Sequence, residues 1–189
     1  GSGTVFFSGC TLRCCFCQNH KISRDLYGKA LTARELADVF LRLQDQGANN
    51  ISLVTATHFL PWIIPALDLV KDRLSIPVVY NCGGYERTET IEALKDYVDI
   101  WLPDLKYYDT ALSSRYSQAK NYFDHASEAI SQMVRQTGAP VLDSDGNVDK
   151  DASRRVEVKF RLKDDEMINE LNQIMNTDKT SDSEKSGSN

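Results

Sequence analysis

Short apolar runs alternate with amphipathic segments along the first three quarters of the chain. The apolar runs are rich in β-branched and aromatic residues, which is typical of buried β-strands. They span residues 4–8, 51–55, 77–80 and 98–102. Helical periodicity spans residues 32–46, 59–73, 88–97 and 122–136. The resulting β-α-β-α-β-α-β-α order predicts an α/β fold of parallel strands with right-handed crossovers and helices packed outside.

The segment 32–46 carries the clearest helical pattern. Thr32 and Glu35 have the spacing of a capping box, in which each side chain satisfies a backbone N–H at the helix start. The apolar positions that follow are Leu36, Val39, Phe40 and Leu43. Such an array is either an open sheet or part of a (βα) barrel, and both place ligands at the carboxyl ends of the strands.

The alternating pattern weakens towards the end of the chain, after Gly138. Two further candidate strands span residues 140–142 and 156–162, and residues 164–175 are typical of a helix. The tail contains only small, charged and polar residues, without enough apolar surface to offset the entropy of ordering. We therefore predict one core domain over residues 1–175 and a disordered tail over residues 176–189.

Composition narrows the function classes. With 189 residues and 41% hydrophobic content, the chain is long enough for one sizeable core. A net charge of -5 gives no basic excess for binding nucleic acid. No apolar run approaches the roughly 20 residues of a membrane span, and no signal segment is recognisable. A cytoplasmic protein is expected, and the start at Gly1 predicts a piece of a longer or processed chain.

Five cysteines, four of them between residues 10 and 17, are the most informative feature. Their odd number and close spacing favour metal binding or catalysis over a disulfide framework. The segment 8–20 follows the first predicted strand and contains C-x3-C-x2-C. Three thiolates on one short loop leave one iron of a cubane without a protein ligand, and that iron can bind a substrate or cofactor.

Other interpretations of these cysteines remain open. A structural zinc site needs four ligands, usually in two separated pairs, and here His20 or Cys15 would have to complete the set. A redox pair between Cys14 and Cys17 leaves Cys10 unexplained. Core cysteines do not usually crowd into one loop flanked by glycine. In the cluster interpretation Cys15 is a packing residue beside the loop, and Cys82 has no cluster role.

Several segments of the chain, in the same order along the sequence, resemble the radical S-adenosylmethionine (SAM) superfamily. The cysteine spacing has an aromatic residue before its last cysteine and directly follows the first strand. The segments 3–10, 17–19, 53–58, 80–85 and 103–107 more narrowly resemble the pyruvate formate-lyase activating enzyme group. The resemblance covers about residues 1–145.

The resemblance implies a partial (βα) barrel that holds a [4Fe-4S] cluster and SAM. In that superfamily the cluster donates one electron to SAM, and cleavage gives methionine and a 5′-deoxyadenosyl radical. In activating enzymes the radical acts on a glycine of another protein, a glycyl radical enzyme. The expected partners are therefore such a protein substrate and an electron donor such as flavodoxin or ferredoxin.

The resemblance also assigns residues. Cys10, Cys14 and Cys17 match the cluster ligands, and Phe16 matches an aromatic beside the cluster. The strand-two position that is commonly Gly-Gly-Glu, and meets the amino group of SAM, is here occupied by residues 55–58. The acidic contact is therefore absent there, and the hydroxyls of Thr55 and Thr57 are the alternative contacts.

Further cofactor contacts are implied at the ends of strands three and four. Asn81 and Cys82 align with an Asp-Thr pair of the family, and Asp104 aligns with an aspartate. In the family these residues help hold a monovalent cation near the SAM carboxylate. Compared with that pair, Asn81 and Cys82 give the site less negative charge and fewer hard oxygen ligands for a cation. Lys106 would face the same side as Asp104 in an extended strand, as a site residue or in a surface salt bridge. His58 is assigned no role.

The second half departs from the family pattern. After Gly146 the chain lacks the Val-Arg-His-type strand and the Pro-Gly loop of similar proteins, so a barrel truncated on its C-terminal side is expected. The segment 143–147 is predicted to form a simple turn, because its glycine and acidic residues do not have the spacing of a calcium loop. A noncatalytic fragment that holds a cluster or zinc is the alternative to an enzyme.

Overall fold

Five parallel strands form one sheet in the computed structural model, which describes residues 1–149 and 152–157. The strands are β1 (Gly3–Phe6), β2 (Ile51–Val54), β3 (Val78–Cys82), β4 (Ile100–Pro103) and β5 (Arg155–Val156). Each strand pairs in parallel with the next, in the order β1-β2-β3-β4-β5. The four strands predicted before residue 103 are confirmed.

The helices lie between these strands. They are α1 (His20–Ser23), α2 (Ala33–Asp45), α3 (Leu60–Val70), α4 (Thr88–Ala93), α5 (Thr110–Ser117) and α6 (Tyr122–Thr137). The capping box of α2 is confirmed, because Glu35 N–H donates to Thr32 Oγ1 and Thr32 N–H donates to Glu35 Oε2. The sequence predicted α2, α3, α4 and α6 but missed α1 and α5. No described helix meets the length and hydropathy needed to cross a bilayer.

The strand order decides between the two predicted architectures. A doubly wound sheet reverses its strand order at a switch point, whereas this sheet runs in sequence order from end to end. Right-handed crossovers then place the connecting helices on one side of the sheet. The described sheet is therefore an arc of a (βα) barrel, and the prediction of an incomplete barrel agrees with its five strands.

The register gives the sheet two different faces. One face packs against the helices in the main core, and its central row is Val5, Leu53, Tyr80 and Trp101. The neighbouring row points to the opposite face, where side chains are exposed or half-buried; it is Phe6, Val54, Asn81 and Leu102. This second face, which we call the open face, is the side that a closed barrel would enclose.

The segments after α6 depart from prediction in part. The candidate strand at residues 140–142 is wrong, because only Leu142 pairs, in an isolated antiparallel bridge with Val148. The turn at residues 143–147 is confirmed, and Asp143 Oδ1 accepts N–H bonds from Asp145 and Asn147. The candidate strand at residues 156–162 begins one residue earlier, in β5. Its remainder, the helix at 164–175 and the tail at 176–189 lie outside the described residues.

Candidate functional site

The cysteine loop, residues 8–20, leaves the carboxyl end of β1. All five cysteines are free thiols. Cys10, Cys14 and Cys17 are half-buried. Cys15 is exposed, so its predicted role as a packing residue is wrong. Cys82 is buried in the main core.

The end of α5 holds the middle of the cysteine loop. The backbone N–H of Arg13 donates to the Ser117 carbonyl at 3.0 Å, and that of Cys15 donates to the Tyr116 carbonyl at 2.8 Å. Helix α5 itself begins at an Asp109 cap, whose Oδ1 accepts bonds from two backbone N–H groups of its first turn. A short polar helix therefore fixes the loop that carries the thiols.

A hydroxyl of α5 also reaches a cysteine sulfur directly. Ser117, which is 1% exposed, donates to Cys14 Sγ at 2.9 Å. Because Ser117 has one hydroxyl proton, the 2.7 Å contact with Tyr107 requires the tyrosine hydroxyl to donate to Ser117 Oγ. The result is a directional relay from Tyr107 through Ser117 to the sulfur.

The opposite side of the loop is held by α1 and its flanks. The Arg24 guanidinium donates to the carbonyls of Arg13 and Cys14 at 2.8 and 2.6 Å. Cys17 Sγ lies 3.3 Å from Ser23 Oγ. His58, which the sequence left without a role, donates from Nε2 to the Ser8 carbonyl at 2.6 Å. The turn after β2 is thereby tied to the start of the cysteine loop.

The Cys10 thiol is affected by its burial and by its neighbours. Burial raises the pKa of the Cys10 thiol, and the charges of Cys14, Cys17 and Glu86 raise it further. Among residues 1–149 and 152–157, no three His, Cys, Asp or Glu side chains are arranged to hold a single metal ion. Three thiols on one loop, with a hydroxyl donor on one sulfur, are the ligand type of an iron-sulfur cluster, whereas a structural zinc site needs four ligands.

The end of β2 brings the two predicted threonines to the same edge of the sheet. Thr55 has φ +58°, a left-handed conformation that is uncommon for threonine, and its N–H donates to the Asn81 carbonyl at 3.0 Å. The Thr57 hydroxyl donates to Glu86 Oε2 at 2.7 Å and lies 2.9 Å from the Tyr80 hydroxyl. Thr57 therefore engages protein groups on both sides.

Glu86 is the site residue that sequence reasoning missed. It follows the Gly83-Gly84 turn after β3 and is only 5% exposed. Burial raises the pKa of its carboxyl, and hydrogen bonds from Thr57 and Cys82 oppose that rise. An acid four residues after the end of β3 was the available signal, but nothing in the local pattern indicates that it is buried.

Replacing Glu86 with glutamine is expected to stabilise the ligand-free chain at neutral pH. Because the folded pKa is raised above an unfolded value of about 4.3, the parent chain loses stability as the pH rises above that value. Glutamine does not titrate. The nearby groups Cys10, Tyr80 and Cys82 have pKa values raised by burial and stay neutral in this range.

The two melting temperatures should therefore separate as the pH rises from about 4 and converge as it falls. Thermal unfolding of both chains over that range checks this expectation. A difference between them that does not change with pH would contradict it.

One buried tyrosine joins the loops that follow β3 and β4. The Tyr122 hydroxyl lies 2.7 Å from the Gly83 carbonyl and 2.9 Å from the Asp104 carbonyl, and it accepts the Lys106 N–H at 3.0 Å. Gly84 lies against the same loop, so close that an added Cβ would meet the Asp104 carbonyl oxygen at 2.1 Å. These contacts fix the backbone that presents Asp104 and Lys106.

The remaining predicted residues also lie at the carboxyl edge of the sheet. Asn81 points to the open face. Lys106 Nζ lies 2.5 Å from Asp104 Oδ2, which confirms that the two side chains face the same side and form an ion pair. Phe16 is 55% exposed, with its ring centre 6.5 Å from that of Tyr107. Contacts of these residues with a cofactor remain predictions.

The cysteine loop and the β3 turn meet at this edge. Leu12 packs so closely on Gly83 that an added Cβ there would lie 2.8 Å from Leu12 Cδ1. Leu12 is buried with Ala119, Tyr122 and Ala126 in a second, smaller core that Cys10 and Cys14 contact. The thiols, the buried acid and the ion pair are thus parts of one end of the molecule.

Two curated relatives are similar in sequence. An uncharacterised protein of Methanocaldococcus jannaschii is 33% identical over 132 residues, which are 65% of this chain and 38% of that protein. The pyruvate formate-lyase-activating enzyme of Clostridium pasteurianum is 30% identical over 158 residues, which are 77% of this chain and 66% of that enzyme. The chain therefore spans about two fifths to two thirds of the length of these relatives.

Solved structures and a family model agree with the fold described above. Methylornithine synthase superposes with a TM-score of 0.53 at 18% identity, over 70% of this chain and 41% of that one. SuiB of Streptococcus suis superposes with a TM-score of 0.50 at 14% identity, over 93% of this chain and 46% of that one. The model of the radical SAM superfamily matches residues 4–141. The chain belongs to the radical SAM superfamily.

Proposed function

We propose that this chain is the cluster- and SAM-binding core of a radical SAM enzyme of the glycyl-radical-enzyme activase type. The observation that carries the proposal is the set of three half-buried free thiols on one loop, with a hydroxyl donor on the Cys14 sulfur. The superfamily implies a [4Fe-4S] cluster and SAM. When bound, the cluster supplies the electron that cleaves SAM and so gives methionine and a 5′-deoxyadenosyl radical.

The protein's own residues hold and shield the reacting groups. Cys10, Cys14 and Cys17 would hold three irons as thiolates, and the contacts of α5 and Arg24 keep the loop in place. Thr55, Thr57 and Asn81, at the strand ends, would orient SAM. Lys106 already neutralises the Asp104 carboxylate, which weakens the attraction of that carboxylate for a further cation.

The activase type is the finer part of the proposal, and the similarity to the Clostridium pasteurianum activating enzyme supports it. By this analogy the hydrogen donor is a glycine of a partner protein, and the electron donor is a flavodoxin or ferredoxin. A second candidate is a noncatalytic fragment that binds a cluster without cleaving SAM. The absence of an acid among residues 55–58, where the superfamily commonly has Gly-Gly-Glu, favours that candidate.

Reductive SAM cleavage separates the two candidates. The chain is reconstituted with iron and sulfide without oxygen, reduced with dithionite and supplied with SAM. Sustained formation of 5′-deoxyadenosine, in amounts above one equivalent per chain, is expected of the enzyme. A full cluster without 5′-deoxyadenosine would contradict the catalytic proposal and support the fragment.

Replacing Ser117 with alanine is expected to make the reduction potential of the bound cluster more negative. The change removes a hydrogen bond to Cys14 Sγ, and such bonds stabilise the reduced, more negative cluster. A net hydrogen-bond contribution of about 0.5–1.5 kcal/mol corresponds to roughly 20–60 mV for one electron. Tyr107→Phe should shift the potential in the same direction by less.

Potentiometric titration followed by electron paramagnetic resonance measures this shift. Ser114→Ala is the matched control, because Ser114 lies on the same helix and its side chain has no described bond to a cysteine. Equal potentials for the parent and Ser117→Ala would show that the relay does not act on the cluster.

A further inference from the structure

Glu86 is a buried carboxylate without a cationic partner in the described part of the chain. Its side-chain hydrogen bond comes from the Thr57 hydroxyl, and the Cys82 thiol lies nearby; both groups are neutral. The ion pairs found among residues 1–149 and 152–157 involve other acids. A buried anion is costly unless a charge or several donors compensate it. The site therefore favours a positively charged ligand.

The donors around Glu86 form a directional chain. Thr57 gives its single hydroxyl proton to Glu86 Oε2, so in the 2.9 Å contact the Tyr80 hydroxyl must donate to Thr57 Oγ1. Tyr80 is fully buried, which fixes the start of the chain. The chain holds one carboxylate oxygen in place, and an ionised carboxylate has about four acceptor positions in all. Acceptor capacity remains for a ligand.

The position of Glu86 relates it to the cysteine loop. The Gly83-Gly84 turn that precedes it packs against Leu12 of that loop. Leu12 itself is buried in the smaller core that Cys10 and Cys14 contact. The carboxylate thus lies near the thiols, at the carboxyl edge of β2 and β3.

We propose that Glu86 binds the α-ammonium group of SAM, with Thr57 as the positioning residue that holds its carboxylate. The inference rests on the proposed function, because it takes SAM as the ligand at the cysteine loop. Residues 55–58 contain no acid, and Glu86 supplies one from the neighbouring strand end. Among the functional groups of SAM, the α-ammonium group combines a compact positive charge with three N–H donors, and a buried carboxylate can accept such donors.

Equilibrium binding to the reconstituted chain tests this assignment. The ligands are SAM and a SAM analogue that lacks the α-amino group. Glu86→Gln should weaken SAM binding about tenfold or more, because a charge-assisted hydrogen bond is lost, and should leave the affinity for the analogue unchanged. Glu89→Gln is the matched control, since Glu89 is an exposed acid in the first turn of α4. This variant should bind both ligands with the affinity of the parent chain.

Several results would overturn the assignment. Unchanged SAM affinity in Glu86→Gln, or an equal loss for both ligands, would show that the carboxylate does not contact the amino group. A lower melting temperature of ligand-free Glu86→Gln at neutral pH would indicate a purely structural acid. Thr57→Val, which keeps the carboxylate but removes its hydroxyl donor, should weaken SAM binding by less than Glu86→Gln, and an effect as large would give Thr57 the contact instead.

Failure of the proposed function gives a different result. A parent chain with a full cluster that binds neither ligand would contradict SAM binding itself, and the assignment of Glu86 would fall with it. A parent chain that binds SAM, together with an unaffected Glu86→Gln, would contradict only the assignment.

Discussion

Replacing Gly84 with alanine is expected to lower the free energy of unfolding by about 3 kcal/mol or more. Gly84 has φ +76°, where an L-residue costs roughly 1–2 kcal/mol. Its new Cβ would also overlap the Asp104 carbonyl oxygen at 2.1 Å, and relief of such overpacking typically costs about 1–3 kcal/mol. The overlapping atom belongs to the backbone, so no side-chain rotation relieves it.

Urea denaturation of the two chains measures this loss. Gly47→Ala is the matched control, since Gly47 has φ +79° but no atom within 4 Å of an added Cβ. The free energy of unfolding of the control should fall by only about 1–2 kcal/mol, which is the cost of an L-residue in the left-handed conformation. Equal losses in the two variants would show that the approach of the β3 and β4 loops is not tight.

Replacement of Cys10, Cys14 or Cys17 with alanine is expected to abolish stable cluster assembly. Each change leaves an iron without its thiolate, and two remaining ligands on one loop do not hold a cubane in a defined position. Cys15→Ala is the control, because Cys15 is exposed and has no predicted cluster role. It should keep the iron content of the parent.

Iron and sulfide quantification after anaerobic reconstitution checks this expectation. A variant of Cys10, Cys14 or Cys17 that keeps the parent's iron content would remove that residue from the ligand set. Loss of iron in Cys15→Ala would show that Cys15 is needed to hold the cluster and would contradict the assigned ligand set.

The elements that could be predicted are those whose stability has a local signature. The strands of the sheet are short β-branched runs, and α2 has both an apolar stripe and a capping box. The helix α5 was missed because its sequence, TALSSRYS, has no apolar stripe, although Asp109 gave a capping signal. Contacts with the cysteine loop hold α5 in place, and the pattern of the helix itself does not reveal them.

The candidate site was predictable to the extent that spacing determines it. The C-x3-C-x2-C spacing selected Cys10, Cys14 and Cys17, and alternation along an extended segment placed Asp104 and Lys106 on one side. The burial of Glu86 depends on how the turns after β2 and β3 pack together. Such a tertiary arrangement has no signature in a single sequence.

The most direct test of the proposed function is electron paramagnetic resonance of the reduced, reconstituted chain with and without SAM, together with iron quantification. The proposed function predicts about four irons per chain, in keeping with a [4Fe-4S] cluster. It also predicts a reduced-cluster spectrum that changes when SAM is added. Zinc in place of iron, or a cluster whose spectrum is the same with and without SAM, would contradict it.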